Sequence, residues 1–186
     1  MADTREAVCT GCGGRLIPDA EYNIYRCTSC GVAFGSSVLF DPDSAAKAAA
    51  SMRDGEFTEA DIRYNCILMT DPKNFEALKG RVLCAAKWRR AGEITDGAAF
   101  TPVRMENVRK RISEAIENAE DDRKEFFRKF DRLFNLLEKM QDKDEATKPD
   151  EVTVSKLHKQ FATLRKELVI MANKAGGSDA ADEEEE

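Results

Sequence analysis

Residues 9–14 read Cys9-Thr-Gly-Cys12-Gly-Gly and residues 27–31 read Cys27-Thr-Ser-Cys30-Gly. Fourteen residues separate Cys12 from Cys27. Two Cys-x-x-Cys pairs at this separation are the pattern of a tetrahedral four-cysteine zinc site, because each short turn aims two thiolates at one point. The backbone must reverse tightly after the second cysteine of each pair, and Gly13 and Gly31 stand there. Between the pairs, Arg15-Leu-Ile and Tyr22 to Arg26 predict two short strands around a Pro18-Asp19-Ala20 turn. A segment this small cannot bury enough apolar surface to fold alone, and a bound ion contributes on the order of 10–16 kcal/mol in comparable small sites. Four thiolates close the coordination sphere and leave no position for a catalytic water, so a single structural zinc is expected on Cys9, Cys12, Cys27 and Cys30.

Over roughly residues 7–36 the chain resembles the zinc-ribbon family. The resemblance implies a metal-binding β-hairpin module used for contacts with proteins or nucleic acids. Rubredoxin-like iron is the competing metal, since such sites also use paired Cys-x-x-Cys-Gly turns.

Beyond the ribbon the composition turns helical. Ser44 to Arg53 is alanine-rich, with Asp41 or Asp43 as N-cap behind Pro42. Gly55-Glu-Phe57-Thr-Glu-Ala60 follows, then Tyr64, Ile67, Leu68 and the turn Asp71-Pro72-Lys-Asn74, after which a helix is predicted from about Asn74 through Trp88. These residues are similar to a tetratricopeptide repeat, a family that pairs two antiparallel helices through a Gly-x-aromatic turn and ends the second at an Asp-Pro-x-Asn turn. Ala48 and Ala60 stand at its small-residue positions, whereas Val82 stands where a small residue is expected in the next helix. One repeat plus one helix is the extent of the likeness. Together the two modules resemble uncharacterised bacterial zinc-ribbon proteins with tetratricopeptide-like helices.

Thr101-Pro102 marks a helix start, with Thr as N-cap and Pro at the first helical position. Apolar residues then recur at steps of three and four (Val108, Ile112, Ile116, Ala119, Phe126, Phe130, Leu133, Leu137, Met140), predicting one helix to about Gln141. Residues 142–150 form a polar loop, and Leu157, Phe161, Leu164, Leu168 and Met171 predict a second helix to about Lys174. The expected fold is therefore mainly α with a small β zinc ribbon: ribbon over 1–40, tetratricopeptide-like helices over 41–100, a long antiparallel helical hairpin over 101–175, and a disordered acidic tail over 176–186.

Charge narrows the function classes. The tail holds six of the 35 acidic residues and no basic one, which leaves 29 acids against 29 bases in the rest. A neutral body argues against a binder that relies on many phosphate contacts. Residues 1–8 carry charges of both signs and no apolar stretch, so no signal peptide is expected there, and no 18-residue apolar run occurs, so a cytoplasmic location is expected. The lone His158 sits beside the Leu157 seam position and pairs with no nucleophile motif, so no enzyme is expected.

The expected role is a non-catalytic zinc-binding adaptor or scaffold subunit for a protein partner. The alternatives are a nucleic-acid-associated, transcription-type ribbon factor and a homo-oligomer assembled through residues 103–174. Lys79, Lys87 and Arg90 share a helical sector of roughly 80° at ~100° per residue and read either as a solvated face or as a patch for an acidic partner. Trp88 reads as a packing anchor or an interface residue. Phe127 and Phe134 widen the apolar stripe, as a partner surface or as bundle core. For the nucleic-acid alternative, Tyr22, Tyr25 and Phe34 are stacking candidates beside Arg15 and Arg26.

Overall fold

The computed structural model describes residues 7–97, 100–141 and 149–175. The acidic tail and most of the polar loop after Gln141 lie outside the described residues. The chain is mostly helical, with one small antiparallel sheet at its N-terminal end. It divides into two compact units, Met1–Cys84 and Ala85–Glu186.

The first unit opens with strands β1 (Ala7–Val8), β2 (Arg15–Asp19), β3 (Ile24–Cys27) and β4 (Ala33–Gly35), which pair in sequence order. The register sets Ala7 against Leu16 and Leu16 against Cys27, and all three of these residues are buried. Alternation then sends Ile17 and Arg26, cross-strand partners, to the opposite and exposed face. The Pro18-Asp19-Ala20 turn is displaced: Pro18 and Asp19 belong to β2, and the reversal falls on residues 20–23 with Asn23 at φ 52°. Pro18 is tolerated in the strand because β1 pairs only as far as Leu16, so no N–H is needed on that side.

A short turn of helix, α1 (Ser36–Leu39), leads into α2 (Ser44–Asp54), α3 (Phe57–Thr70) and α4 (Phe75–Ala86). α2 and α3 pack on each other where Ala48 and Ala60 are both fully buried. Asn74 caps α4, its Oδ1 accepting the Ala77 N–H at 3.0 Å. The residue that lets α4 approach α3 is Gly80, not position 82: a Cβ there would stand 2.5 Å from Cζ of Tyr64. α4 ends at Ala86, two residues before the predicted end, because Lys87 turns to φ 54°.

The four-stranded sheet is built onto these helices. Ala7, Cys9, Leu16 and Cys27 share one buried cluster with Leu39 of α1 and with Cys66 and Met69 of α3. Tyr25, Phe34 and Phe40 pack against its edge, Tyr25 meeting Phe40 edge-on at 4.8 Å. Thr10 donates to Oδ1 of Asn65 on α3 at 2.7 Å. Apolar area that a sheet of this size cannot bury within itself is thereby removed from water.

The second unit contains a 3-10 turn at Ala91–Glu93 and helices α5 (Pro102–Asn118), α6 (Asp121–Met140) and α7 (Glu151–Lys174). Thr101 and Pro102 start α5 as predicted, the Thr101 hydroxyl accepting the Arg104 N–H at 3.3 Å. The single helix predicted to Gln141 is broken: Ala119 and Glu120 are both extended, with ψ of 152° and 149°. The break shortens α5 so that α6 packs on both α5 and α7. α6 contributes Phe126, Phe127, Phe130, Leu133, Phe134 and Leu137 to the core, and α7 contributes Phe161, Leu168 and Ala172. Trp88, Phe100, Phe130 and Phe134 form a chain of ring contacts with centroid separations of 5.3 to 6.3 Å.

Candidate metal centre

The two Cys-x-x-Cys turns fold alike. In the first, the Cys9 N–H donates to Gly14 O at 2.8 Å and the Gly13 N–H donates to Cys9 O at 2.8 Å. In the second, the Cys27 N–H donates to Val32 O at 2.8 Å and the Gly31 N–H donates to Cys27 O at 3.1 Å. Gly13 and Gly31 hold φ of 72° and 73°, the left-handed conformation that a side chain disfavours. Each turn buries its first cysteine (Cys9, Cys27) and exposes its second (Cys12, Cys30).

Pairing of β2 with β3 brings the turns together. The four Sγ atoms lie within 4.8 Å of one another, with Cys9–Cys30 at 3.8 Å and Cys12–Cys27 at 3.4 Å. An ion held by four thiolates at about 2.3 Å needs S···S edges of about 3.8 Å, so the donor set fits a tetrahedral, thiolate-binding metal. Gly14 is a site residue that spacing alone does not mark. A Cβ at that position would lie 2.8 Å from Cys27 Sγ and would press on the Ser29 side chain.

The electrostatics of the four thiols point the same way. Backbone N–H groups of Cys30 and Ser29 pull the Cys27 thiol down to about 6. For Cys12, the Gly14 backbone acts to lower the pKa, but the thiols of Cys27, Cys30 and Cys9, together with burial, push it up to about 12. Four thiols this close cannot all ionise against one another. A divalent cation removes that conflict and holds all four as thiolates. The remaining cysteines are not among the four converging thiols: Cys66 is buried, which pushes its thiol up, and Cys84 is buried with its Sγ 3.2 Å from Met52 Sδ.

No family model, curated protein or solved structure matches the chain. The chemistry of the site therefore rests on its four thiols.

The residues expected at a partner surface fall in different environments. Lys79 is buried, paired with Glu76 at 2.9 Å and lying 5.8 Å from the Phe75 ring centroid. Lys87 is exposed and Arg90 half-buried, but the end of α4 at Ala86 removes both from the helical sector they were expected to share with Lys79. Trp88 is buried in the ring cluster. Phe127 and Phe134 are fully buried, because α6 is covered by helices on two sides. On β2 and β3, Arg15 and Arg26 are exposed, with Arg26 3.8 Å from Asp19. Of the three stacking candidates only Tyr22 is exposed, since Tyr25 and Phe34 pack toward α1 and α3. Among the described residues no helix is long and apolar enough to cross a membrane.

Proposed function

We propose that the protein is a non-catalytic adaptor or scaffold subunit whose N-terminal zinc ribbon is a structural element, holding one Zn2+ on Cys9, Cys12, Cys27 and Cys30. The observation that carries this reading is the convergence of the four Sγ atoms within 4.8 Å on a ribbon sharing its buried cluster with α3. Four thiolates complete a tetrahedral sphere, so the ion supplies folding energy and no open position for substrate. Zinc is preferred to iron because the inter-turn spacer is short and the site serves a shared hydrophobic core.

The ribbon and the helices it packs on then act as one body presenting surfaces to a protein partner, in the cytoplasm. A tetratricopeptide-like arrangement of α2 and α3 is supported by the buried Ala48 and Ala60 and by Gly55, at φ 77° in the connecting turn. An antiparallel hairpin of α6 and α7 is supported by the Lys129–Glu167 ion pair between them. For the nucleic-acid alternative, the ribbon's exposed Arg15 and Arg26 count in favour, and its single exposed aromatic counts against.

Two measurements on the same preparation test this reading. Elemental analysis of the purified full chain is expected to find one zinc and no stoichiometric iron. Affinity capture with and without nuclease is expected to retain a protein partner in both arms. Loss of every partner on nuclease treatment favours the nucleic-acid reading, and absence of metal removes the ribbon's structural role.

A further inference from the structure

α6 and α7 lie side by side and leave a valley of about 700 Å³ between them. Arg132, Asn135, Leu136 and Lys139 line it from α6 at i, i+3, i+4 and i+7, so one helical stripe faces the valley along about two turns. Lys156, Lys159, Gln160 and Thr163 repeat the same steps on α7. The half-buried Leu136 and Leu164 form an apolar floor, and the exposed Arg132, Lys139, Lys156 and Lys159 form the rim.

Charge decides what fits. Among the described residues no carboxylate lines the valley. Arg132 is engaged by Glu125, while Lys139, Lys156 and Lys159 form no ion pair among the described residues. Three lysines around two leucines disfavour a second cationic or purely apolar surface. The same lining holds no aromatic to stack on bases, which disfavours single-stranded nucleic acid. The chain's own acidic segment, 176–186, has alanine as its largest apolar side chain and cannot fill a leucine-lined floor.

We infer that this valley, rather than the surface around Lys79 and Trp88, is the docking site for an acidic amphipathic helix of a partner protein. Two or three aliphatic side chains at i, i+3 or i+4, and i+7 seat between Leu136 and Leu164, and flanking Asp or Glu meet the lysine rim. The inference rests on the adaptor reading and adds the location and chemistry of the partner.

The test uses the metal-loaded full chain and a fluorescein-labelled designed helix. Its leucines fall on one face and its other positions are mainly glutamate. A scrambled peptide of identical composition is the control. Fluorescence anisotropy is expected to show saturable binding that weakens at least about tenfold between ~50 and ~300 mM salt. A loss of at least about tenfold is also expected in Lys156→Glu/Lys159→Glu, whose exposed positions leave the core intact. Leu136→Ser is expected to weaken binding without changing the salt dependence.

Equal binding of the scrambled peptide, or unchanged binding to the double variant, overturns the assignment. So does tighter binding of a poly-thymidine strand of equal charge, or peptide binding that occurs only after removal of residues 176–186. If the double variant still captures its nuclease-resistant cellular partner, the adaptor reading stands and the valley assignment falls.

Discussion

Thr10, inside the first Cys-x-x-Cys turn, donates its hydroxyl to Oδ1 of Asn65 on α3 at 2.7 Å. Their chain neighbours Cys9 and Cys66 lie in the same buried cluster. The candidate metal site is thus joined to α3 by a hydrogen bond and by apolar contact.

Metal removal is therefore expected to loosen more than the four-stranded sheet. Chelation, or Cys27→Ser, should raise amide hydrogen exchange over residues 7–35 and also over α3 near Asn65–Met69. α7 serves as the internal reference. Protection loss confined to the sheet would show that the Thr10–Asn65 contact transmits little.

Gly80→Ala tests the approach of α4 to Tyr64. Helix propensity alone favours the substitution by about 1 kcal/mol. The clash with the Tyr64 ring is expected to reverse that sign, for a net loss of about 1–2 kcal/mol. In a denaturation series, Tyr64→Ala in the same chain should absorb most of the loss, because the two changes share one contact.

Asp41 sets an acid-sensitive contribution. The Lys47 ammonium at 2.6 Å, helped by the Asp43 N–H and by Arg63, holds its carboxyl below 3.8. A depressed carboxylate pKa stabilises the fold above the unfolded-state value and loses that contribution as pH falls through the folded one. Asp41→Asn should therefore lower Tm at pH 7, and the gap to wild type should close as pH falls below 3.8. A gap independent of pH would assign Asp41 a packing role.

Phe134 is fully buried, with its ring 5.3 Å from Phe100, and Phe100 in turn meets Trp88 at 5.6 Å. Phe134→Ala is expected to cost about 3–5 kcal/mol. Emission of Trp88, the single tryptophan, should shift to the red as water reaches the ring cluster. An unchanged spectrum with full stability would place Phe134 outside the core.

Much of the candidate site was legible because its determinants are local. Cys-x-x-Cys-Gly fixes a turn through short-range backbone geometry, and two such turns within one small module leave their thiols few other places to go. The start of α5 was local in the same sense, since Thr101 and Pro102 cap it without help from distant residues. The break at Ala119–Glu120 carried a local signal as well. Asp121 and Asp122 open α6 with acids where a helix N-terminus favours them, but the apolar repeat on either side pointed through them.

Which faces are covered depends on contacts between elements distant in the chain. Spacing and composition alone disclose the four thiols, the helical character of the rest and the placement of net negative charge in the last eleven residues. Burial of Phe127 and Phe134, the Gly80–Tyr64 approach and the close contact at Gly14 each depend on a second element brought from elsewhere in the chain. An apolar side chain on a helix carries no mark of whether a neighbouring helix or a partner will cover it, because burial is a property of the pair of surfaces and not of the residue.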